Sequence, residues 1–215
     1  SKADEIFYYF NKAGIEYKVE KSITRPFVLP NVSERRNIRI IYPYIFDKKR
    51  GEVLTIKPLE MERQYPNTYT YLLHYKSELQ KRKHDKNMEY WYLYGRKQGL
   101  KQYGQRLYLP YMARDVKTSM SFYDDEVFAA GYAIFHSSKQ YLQSLATILE
   151  SKLFSFYLQL VSKPYDGGYY STAKNMIKNF SIPSEEELVT TILTDQDVFE
   201  LYQLTDDEIQ LLKTH

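Results

Sequence analysis

The spacing of apolar residues changes along the chain, and this change limits the folds that the chain can adopt. Ile6, Tyr8 and Phe10 lie at alternate positions, and residues 15–19 repeat the period of two after a short turn sequence at residues 11–14. This pattern predicts two β-strands joined by a hairpin turn. Further strands are predicted at residues 37–46, interrupted at Pro43, and at residues 51–58, 106–113, 120–123 and 131–135.

Helical spacing follows in two longer segments. Apolar residues recur at helical spacing over residues 67–83, after Pro66, and again from Ser137 to Val161, as one helix or as two with a break. Strands therefore come first and helices later. The predicted class is α+β, with mixed or antiparallel strands in the N-terminal half and helices concentrated in the C-terminal half.

The last 32 residues repeat one signal for the start of a helix. Ser184 with Glu187, Thr194 with Asp197 and Thr205 with Glu208 each place a hydroxyl three residues before a carboxylate. Residues 185–215 are therefore predicted to be an acidic helical appendage to a domain formed by residues 1–184. Its buried side is predicted to comprise Leu188, Ile192, Leu193, Val198, Phe199, Leu201, Ile209 and Leu212.

The charges are distributed unevenly along the 215 residues, whose net charge is only +3. Residues 21–118 hold 21 Lys and Arg against 9 Asp and Glu, a net of +12, whereas residues 185–215 hold 1 against 9, a net of −8. The segment from Tyr42 to Tyr111 also contains 12 of the 23 tyrosines. This combination suits a surface that binds a polyanion. The alternative is a solvated basic face whose tyrosines lie partly in the core.

Composition also limits the cellular location that fits the chain. The chain has no cysteine, which excludes disulfide bonds and cysteine-ligated zinc and fits an intracellular protein. No apolar run approaches the roughly 18 residues that span a bilayer, and the N-terminus lacks the apolar core of a signal peptide. These absences predict a cytoplasmic location. The chain begins with Ser1 and not with Met, so we also expect a piece of a longer protein.

Sequence patterns for catalysis are weak or missing. There is no Gly-rich phosphate or cofactor loop, and the four histidines show no metal-ligand spacing. The Asn-Pro-Pro-Tyr-like clamp of base-methylating enzymes is also absent. Glu16-Tyr17-Lys18 with Asp4, and Asp125 with the segment 150–152, approach the magnesium-nuclease pattern of paired carboxylates and a lysine. Charged residues on a solvated face explain both better, so no catalytic, cofactor-binding or metal-binding residue is predicted.

Several strings occur in an order that is known from one family. They are Tyr42-Pro43-Tyr44, residues 65–72 (YPNTYTYL), residues 91–98 (WYLYGRKQ), residues 149–153 (LESKL), Gly167-Gly168-Tyr169-Tyr170, Ile182-Pro183 and residues 201–208 (LYQLTDDE). Together they resemble the TaqI-like C-terminal specificity domain of adenine-specific DNA methyltransferases, which also occurs in fused restriction–modification enzymes. Glu150 departs from the usual Asn of that family, and Gln203 departs from its frequent Gly.

The resemblance implies that catalysis and DNA recognition lie in different domains of the parent protein. A separate catalytic domain of the parent protein, N-terminal to Ser1, would bind S-adenosylmethionine and flip the adenine, while this chain would hold double-stranded DNA and select the site without a cofactor of its own. Arginine and lysine supply both phosphate contacts and contacts to base edges. The predicted DNA-contacting residues are Arg25, Arg35, Arg36, Arg39, Lys48, Lys49, Arg50, Arg63, Tyr92, Arg96, Lys97, Lys101 and Arg114.

These residues are expected to divide by role. Arg96 lies in a string shared with the family and is predicted to hold a phosphate, whereas Arg82, at the end of a predicted helix, is expected to pair within the protein. The base-reading candidates are Arg35, Arg36, Lys48, Lys49, Arg50 and Arg114. Two other functions stay open: a protein-binding module with a basic tyrosine-rich surface, and a magnesium-dependent nuclease domain.

Overall fold

The computed structural model describes residues 2–30, 38–47, 49–83, 88–96, 100, 104–123, 125–188 and 192–214. The chain forms two compact units. The first comprises residues 1–27 and 37–102, and the second comprises residues 28–36 and 103–215. The predicted boundary at residue 184 lies inside the second unit, and a separate appendage after it stays a prediction.

The first unit begins with a three-stranded antiparallel sheet, β1 (Lys2–Ala3), β2 (Phe7–Lys12) and β3 (Ile15–Glu20). Ala13 and Gly14 have φ angles of 52° and 79° in the turn between β2 and β3. Two positive φ angles in a two-residue turn match the twist of the flanking strands. The hairpin predicted from the alternating residues is therefore confirmed.

Two further antiparallel pairs follow. A 3₁₀ turn at Lys21–Ile23 leads into β4 (Thr24–Val28), which pairs with β5 (Arg39–Ile41). Strand β6 (Tyr44–Asp47) pairs with β7 (Glu52–Thr55) in a sheet of two strands. The interruption predicted at Pro43 is confirmed, because Pro43 separates β5 from β6.

Three short helices complete the described part of the first unit: α1 (Pro58–Gln64), α2 (Pro66–His74) and α3 (Lys76–Gln80). The single helix predicted over residues 67–83 is broken at Tyr75, whose φ and ψ are −105° and 14°. Helix α1 was not predicted, because Pro58 follows a strand pattern, although proline also favours the first position of a helix.

The second unit has β8 (Arg106–Pro110) at the centre of a sheet, between β10 (Ser119–Ser121) and β12 (Gly131–Phe135). Strand β9 (Met112–Ala113) pairs with β14 (Tyr169–Ser171), which pairs with β13 (Pro164–Tyr165). Strand β11 covers Val127–Phe128. All pairings described here are antiparallel.

Helices α4 (Lys139–Glu150) and α5 (Lys152–Val161) cover one face of this unit, and a short α6 follows at Lys174–Ile177. Of the two alternatives for residues 137–161, the structure has two helices with a break at Ser151, whose ψ is 159° and whose hydroxyl accepts a hydrogen bond from the Phe154 amide at 3.2 Å. The core between sheet and helices includes Leu107, Leu109, Leu145 and Phe154. The α+β class is therefore confirmed.

The acidic tail folds onto this unit through helices α7 (Asp195–Leu201) and α8 (Asp206–Thr214). Both helices begin at hydroxyl–carboxylate pairs that were predicted to start a helix. Thr194 and Asp197 form a reciprocal capping box, and Thr205 and Glu208 exchange hydrogen bonds of 2.8 and 3.4 Å. The signal at Ser184 was wrong as a helix start, because residues 185–187 form only a turn.

The buried side of the tail largely matches the prediction. Leu188, Ile192 and Val198 pack with Ile148 of α4 in one apolar cluster. Leu193 is a correction: it is 69% exposed and does not belong to the cluster that holds its neighbour Ile192. Its backbone is held outside α7, where its amide donates to the Asp197 carboxylate of the capping box at 2.9 Å.

Among the described residues, no helix combines the length and the apolar character needed to cross a membrane.

Candidate nucleic-acid interface

Arg25 and Arg39 lie on the paired strands β4 and β5 of the first unit. The guanidinium group of Arg39 donates to the hydroxyl and the carbonyl oxygen of Thr24 at 3.1 and 3.0 Å, and it lies 5.3 Å from the ring centre of Tyr8. The guanidinium of Arg25 lies 5.6 Å from the ring centre of Tyr42. These contacts give both charges a fixed position against aromatic rings.

Lys49 and Arg50 lie in the turn between β6 and β7. A carboxylate oxygen of Asp47 accepts hydrogen bonds from the backbone amides of Lys49 and Arg50 at 2.9 and 3.2 Å. The side chain of Arg50 is 74% exposed, and its Nε lies 3.8 Å from the other carboxylate oxygen. The Asp47 carboxylate therefore shapes the turn and leaves both basic side chains at the surface.

Arg63 and Arg96 are exposed and make no hydrogen bond or ion pair with any residue that the structure describes. Arg63 lies in the last turn of α1, and Arg96 follows the segment from Trp91 to Tyr94. Arg82 differs, as expected: its guanidinium donates to the carbonyl oxygens of Leu79 and Leu93 at 3.1 and 3.0 Å. Arg82 therefore joins the end of α3 to the segment that precedes Arg96.

Tyr92 requires a correction. Only 3% of its surface is exposed, and its hydroxyl donates to the carbonyl oxygen of Ile56 at 2.6 Å. Burial raises the pKa of this hydroxyl, which keeps it protonated as a donor. Tyr92 therefore belongs to the core of the first unit and offers no surface to a duplex.

Other tyrosines of the basic segment also line the core of the first unit. Tyr42, Tyr44 and Tyr94 meet with ring centres 5.2–6.3 Å apart, and the Tyr94 hydroxyl donates to Ile41. Burial raises the pKa of Tyr44 to about 12. Among the described tyrosines from Tyr42 to Tyr111, Tyr111 alone is exposed, and the others are buried or half-buried. The sequence alternative of a basic surface over a tyrosine-rich core matches this arrangement.

Arg114 is the one described candidate of the second unit. Its guanidinium lies 5.1 Å from the ring centre of Tyr169, and one of its nitrogens lies 3.2 Å from where a Cβ on Gly167 would stand. Gly167 has a φ of 76°, so the turn between β13 and β14 favours glycine there both for its backbone and for the approach of Arg114. The Gly-Gly-Tyr-Tyr string therefore packs against an exposed arginine and helps to position it.

Arg106 is a positioned cation that the sequence did not single out. It is 1% exposed, and it donates to the carbonyl oxygens of Gly104, Tyr123 and Glu126 at 2.8–3.2 Å. Its guanidinium also lies 4.9 Å from the ring centre of Phe135. Arg106 therefore fixes the path of the chain between β10 and β11. Its position at the start of a strand pattern gave no signal of this role.

Five of the predicted DNA-contacting residues lie outside the described residues: Arg35, Arg36, Lys48, Lys97 and Lys101. Of the rest, Lys49 and Arg50 are neighbours in one turn. Arg25 and Arg39 lie on paired strands but face opposite sides of the ladder, because Arg25 pairs with Ile40 and Arg39 pairs with Pro26.

The carboxylates of the weak nuclease patterns have other contacts. Asp4 accepts from the Tyr9 hydroxyl and from two backbone amides, and these hydrogen bonds lower its pKa. Glu150 accepts from the amide and hydroxyl of Thr118 at 2.7 and 2.6 Å. Within the described ranges, no three His, Cys, Asp or Glu side chains are grouped so that they could hold a metal ion.

The candidate site is thus defined by exposed guanidinium and ammonium groups, a chemistry that binds polyanions. The chain is similar to the type II restriction enzyme and methyltransferase RM.Eco57I of Escherichia coli, with 27% identity over an alignment of 236 residues. The alignment covers 95% of this chain but 23% of that protein, so the chain spans less than a quarter of its relative. No family model matches the chain.

This similarity supports a relationship to restriction–modification enzymes. The resemblance to the TaqI-like specificity domain stays a prediction.

Proposed function

We propose that this chain is the DNA target-recognition part of a restriction–modification enzyme, in which it holds duplex DNA and contributes to the choice of site. The similarity to a fused restriction enzyme and methyltransferase supports the general role. The aligned segment is a small part of that relative, as expected of one domain among several. Catalysis and binding of S-adenosylmethionine would belong to other parts of the parent protein, and the cytoplasmic location stays a prediction.

The observation that carries this proposal is the set of exposed cations in the first unit. Arg63 and Arg96 have no acidic partner among the described residues, and Arg50 is 74% exposed although it faces Asp47. Arg39 is exposed and held against the ring of Tyr8, whereas Arg25 is half-buried against the ring of Tyr42. Cations that the fold leaves at the surface are available to phosphates, whose neutralisation releases counterions and supplies most of the affinity for DNA.

Binding to DNA is tested with the 215-residue chain and a fluorescent 30-base-pair duplex of mixed sequence at several salt concentrations. We expect roughly micromolar or weaker affinity at physiological salt, and a logarithm of the binding constant that falls linearly with the logarithm of salt concentration. A chain that does not bind the duplex at low salt, or binds independently of salt, would contradict the proposal.

Sequence choice needs a separate measurement. Repeated selection from duplexes with a randomised centre should enrich a defined motif, because a recognition domain reads base edges as well as phosphates. Incubation of the same chain with S-adenosylmethionine, magnesium and DNA should leave the DNA neither methylated nor cut. Binding without any enriched sequence would reduce the chain to a non-specific DNA-binding module and would refute target recognition.

A further inference from the structure

The β6–β7 hairpin is a ribbon of two strands that no third strand joins among the described residues. Its ladder pairs Tyr44 with Thr55, Ile45 with Leu54 and Asp47 with Glu52. A hairpin of only two strands is rarely stable alone, so its base must be held by the rest of the unit.

Several hydrogen bonds hold that base. The Tyr44 hydroxyl accepts from the Tyr94 amide at 2.7 Å, and the Ile56 carbonyl oxygen accepts from the Tyr92 hydroxyl at 2.6 Å. The Thr55 hydroxyl donates to Glu89 at 2.8 Å. Tyr44 is 3% exposed. The hairpin is therefore anchored at one end, and its turn lies at the opposite end of the ladder.

Lys49 and Arg50 carry basic side chains next to β7, on backbone that hydrogen bonds hold. The Asp47 carboxylate accepts from the amides of Lys49 and Arg50, which holds the turn, and Gly51 has a φ of 62° with open space around its Cα. Arg50 keeps 74% of its side chain exposed. Because Asp47 already orders the backbone at Lys49 and Arg50, little backbone entropy remains to be lost at these two residues on binding, although their side chains still lose rotamer freedom.

One face of the hairpin is apolar and exposed. Ile45 and Leu54 lie opposite each other in the ladder, and each is 47% exposed. Tyr44 lies on the other face, which turns toward the core, since neighbouring residues of a strand point to opposite sides. The hairpin therefore combines a basic end with an apolar flank near its base.

We propose that the β6–β7 hairpin enters the major groove of the target duplex, with Arg50 and Lys49 at the base edges and the Ile45–Leu54 pair against thymine methyl groups or sugars. This inference rests on the proposed function. The major groove is about 12 Å wide and admits a two-stranded ribbon, whereas the minor groove is about half as wide. Residues 47–52 hold three cations against the Asp47 and Glu52 carboxylates, a net charge of +1. This positive end complements the negative potential of the groove, which favours DNA over an added protein strand as the occupant.

The first test compares the sequences selected by the wild-type chain and by Arg50→Ala from randomised duplexes. We expect Arg50→Ala to lose preference at one or two positions of the motif by roughly tenfold, because a bidentate arginine discriminates strongly among bases. Arg63→Ala removes the same charge from helix α1 and should weaken binding without changing the motif. Arg50 is exposed, so its replacement leaves the core intact, and thermal melting confirms that each variant is folded.

The second test identifies the groove. The enriched duplex is remade with uracil for thymine and 7-deazaguanine for guanine, which alters groups in the major groove alone. The affinity of the wild-type chain should be lower for the altered duplex than for the original by about tenfold or more. The Arg50→Ala and Leu54→Ser variants should each lose less affinity on the same change of duplex.

Three outcomes separate the two proposals. An unchanged motif in Arg50→Ala, or equal wild-type affinity for the original and the altered duplex, overturns the assignment of the hairpin while target recognition stands. A wild-type chain that binds no duplex, or binds without an enriched motif, overturns the proposed function itself. Capture of a β-strand peptide at the hairpin edge, in place of DNA, would identify a protein-binding ribbon and contradict both.

Discussion

The carboxylate of Glu20, at the end of β3, accepts a hydrogen bond of 2.6 Å from the hydroxyl of Thr68, which lies 48 residues further along the chain. The same carboxylate accepts from the Thr68 amide at 2.9 Å and from the amide and side chain of Asn67 at 3.0 and 2.8 Å. Asn67 and Thr68 lie in the first turn of α2, whose N-cap residue Tyr65 supplies no side-chain hydrogen bond. Glu20 therefore caps this helix from a neighbouring strand.

We expect Glu20→Gln to destabilise the protein by about 1–3 kcal/mol, because Glu20 is only 6% exposed and the amide nitrogen of Gln would face donors of α2. Chemical denaturation of the 215-residue chain measures this change. Glu16→Gln, on an exposed position of the same strand, should change stability by less than about 0.5 kcal/mol. Equal stability of the two variants would show that the cap contributes nothing.

The stabilisation by Glu20 should also depend on pH. Burial raises the pKa of Glu20, but the hydrogen bonds from Thr68 and Asn67 outweigh burial and hold the pKa below its ordinary value of 4.5. A lowered pKa in the folded state means that the charged form stabilises the fold above pH 4.5, and that this contribution is lost as the pH falls below it.

The measurement is the difference in unfolding free energy between the wild type and Glu20→Gln from pH 7 to pH 3. We expect a constant difference down to about pH 5 and a decreasing one below it. Asp197 and Glu208 also have lowered pKa values through their cap hydrogen bonds, but both are present in each protein and cancel in the difference. A difference in unfolding free energy that grows as the pH falls would contradict the assignment of the charged Glu20 carboxylate as the cap of α2.

The acidic tail should contribute more to stability than to DNA affinity. Asp195 accepts from the Lys152 amide at 3.0 Å and so caps α5, and the fully buried Val198 packs against Ile148. We expect Val198→Ala to cost about 2 kcal/mol and to leave duplex affinity unchanged. Leu193→Ala, at a residue that is 69% exposed, is the control and should melt like the wild type. Weaker DNA binding by a fully stable Val198→Ala would place the tail at the interface.

A variant of Tyr92 tests whether this residue stabilises the core or contacts DNA. Tyr92→Phe removes only the hydroxyl that donates to Ile56, so we expect a loss of about 1 kcal/mol in stability and no change in duplex affinity. Thermal melting and fluorescence anisotropy on one preparation give both quantities. If affinity falls while the melting temperature is unchanged, Tyr92 contacts DNA after all.

Local patterns in the sequence were sufficient for much of the fold. Alternation predicted β2 and β3, and hydroxyl–carboxylate pairs predicted the starts of α7 and α8, since these features depend on residues close in sequence. The helix at residues 67–83 was predicted as one piece, because its period continues across Tyr75 while the backbone does not. Ser184 carried the same signal as Thr194, but no helix of the described residues begins there.

The candidate site was harder to predict, because burial and long-range contacts decide it. Tyr92 and Arg96 belong to one string, yet Tyr92 is buried and Arg96 is exposed. The burial of Tyr92 depends on contacts distant in sequence, such as its hydrogen bond to Ile56. The Glu20 cap joins residues 48 positions apart, and Arg106 looked like an ordinary basic residue at the start of a strand. Charge excess located the basic segment but could not assign a role to each side chain.

Arg96 is predicted to hold a phosphate, and its loss should therefore act alike on all sequences. We expect Arg96→Ala to weaken binding to every duplex by a similar factor, and to reduce the salt dependence by about one unit in the slope of log binding constant against log salt. Lys178→Ala removes the same charge from an exposed site of the second unit outside the basic segment, and should leave both quantities unchanged. Because Arg96 has no partner among the described residues, its replacement should not alter the melting temperature, so a change in affinity reports on DNA directly. A shift in the selected motif, with the slope unchanged, would instead place Arg96 at a base edge.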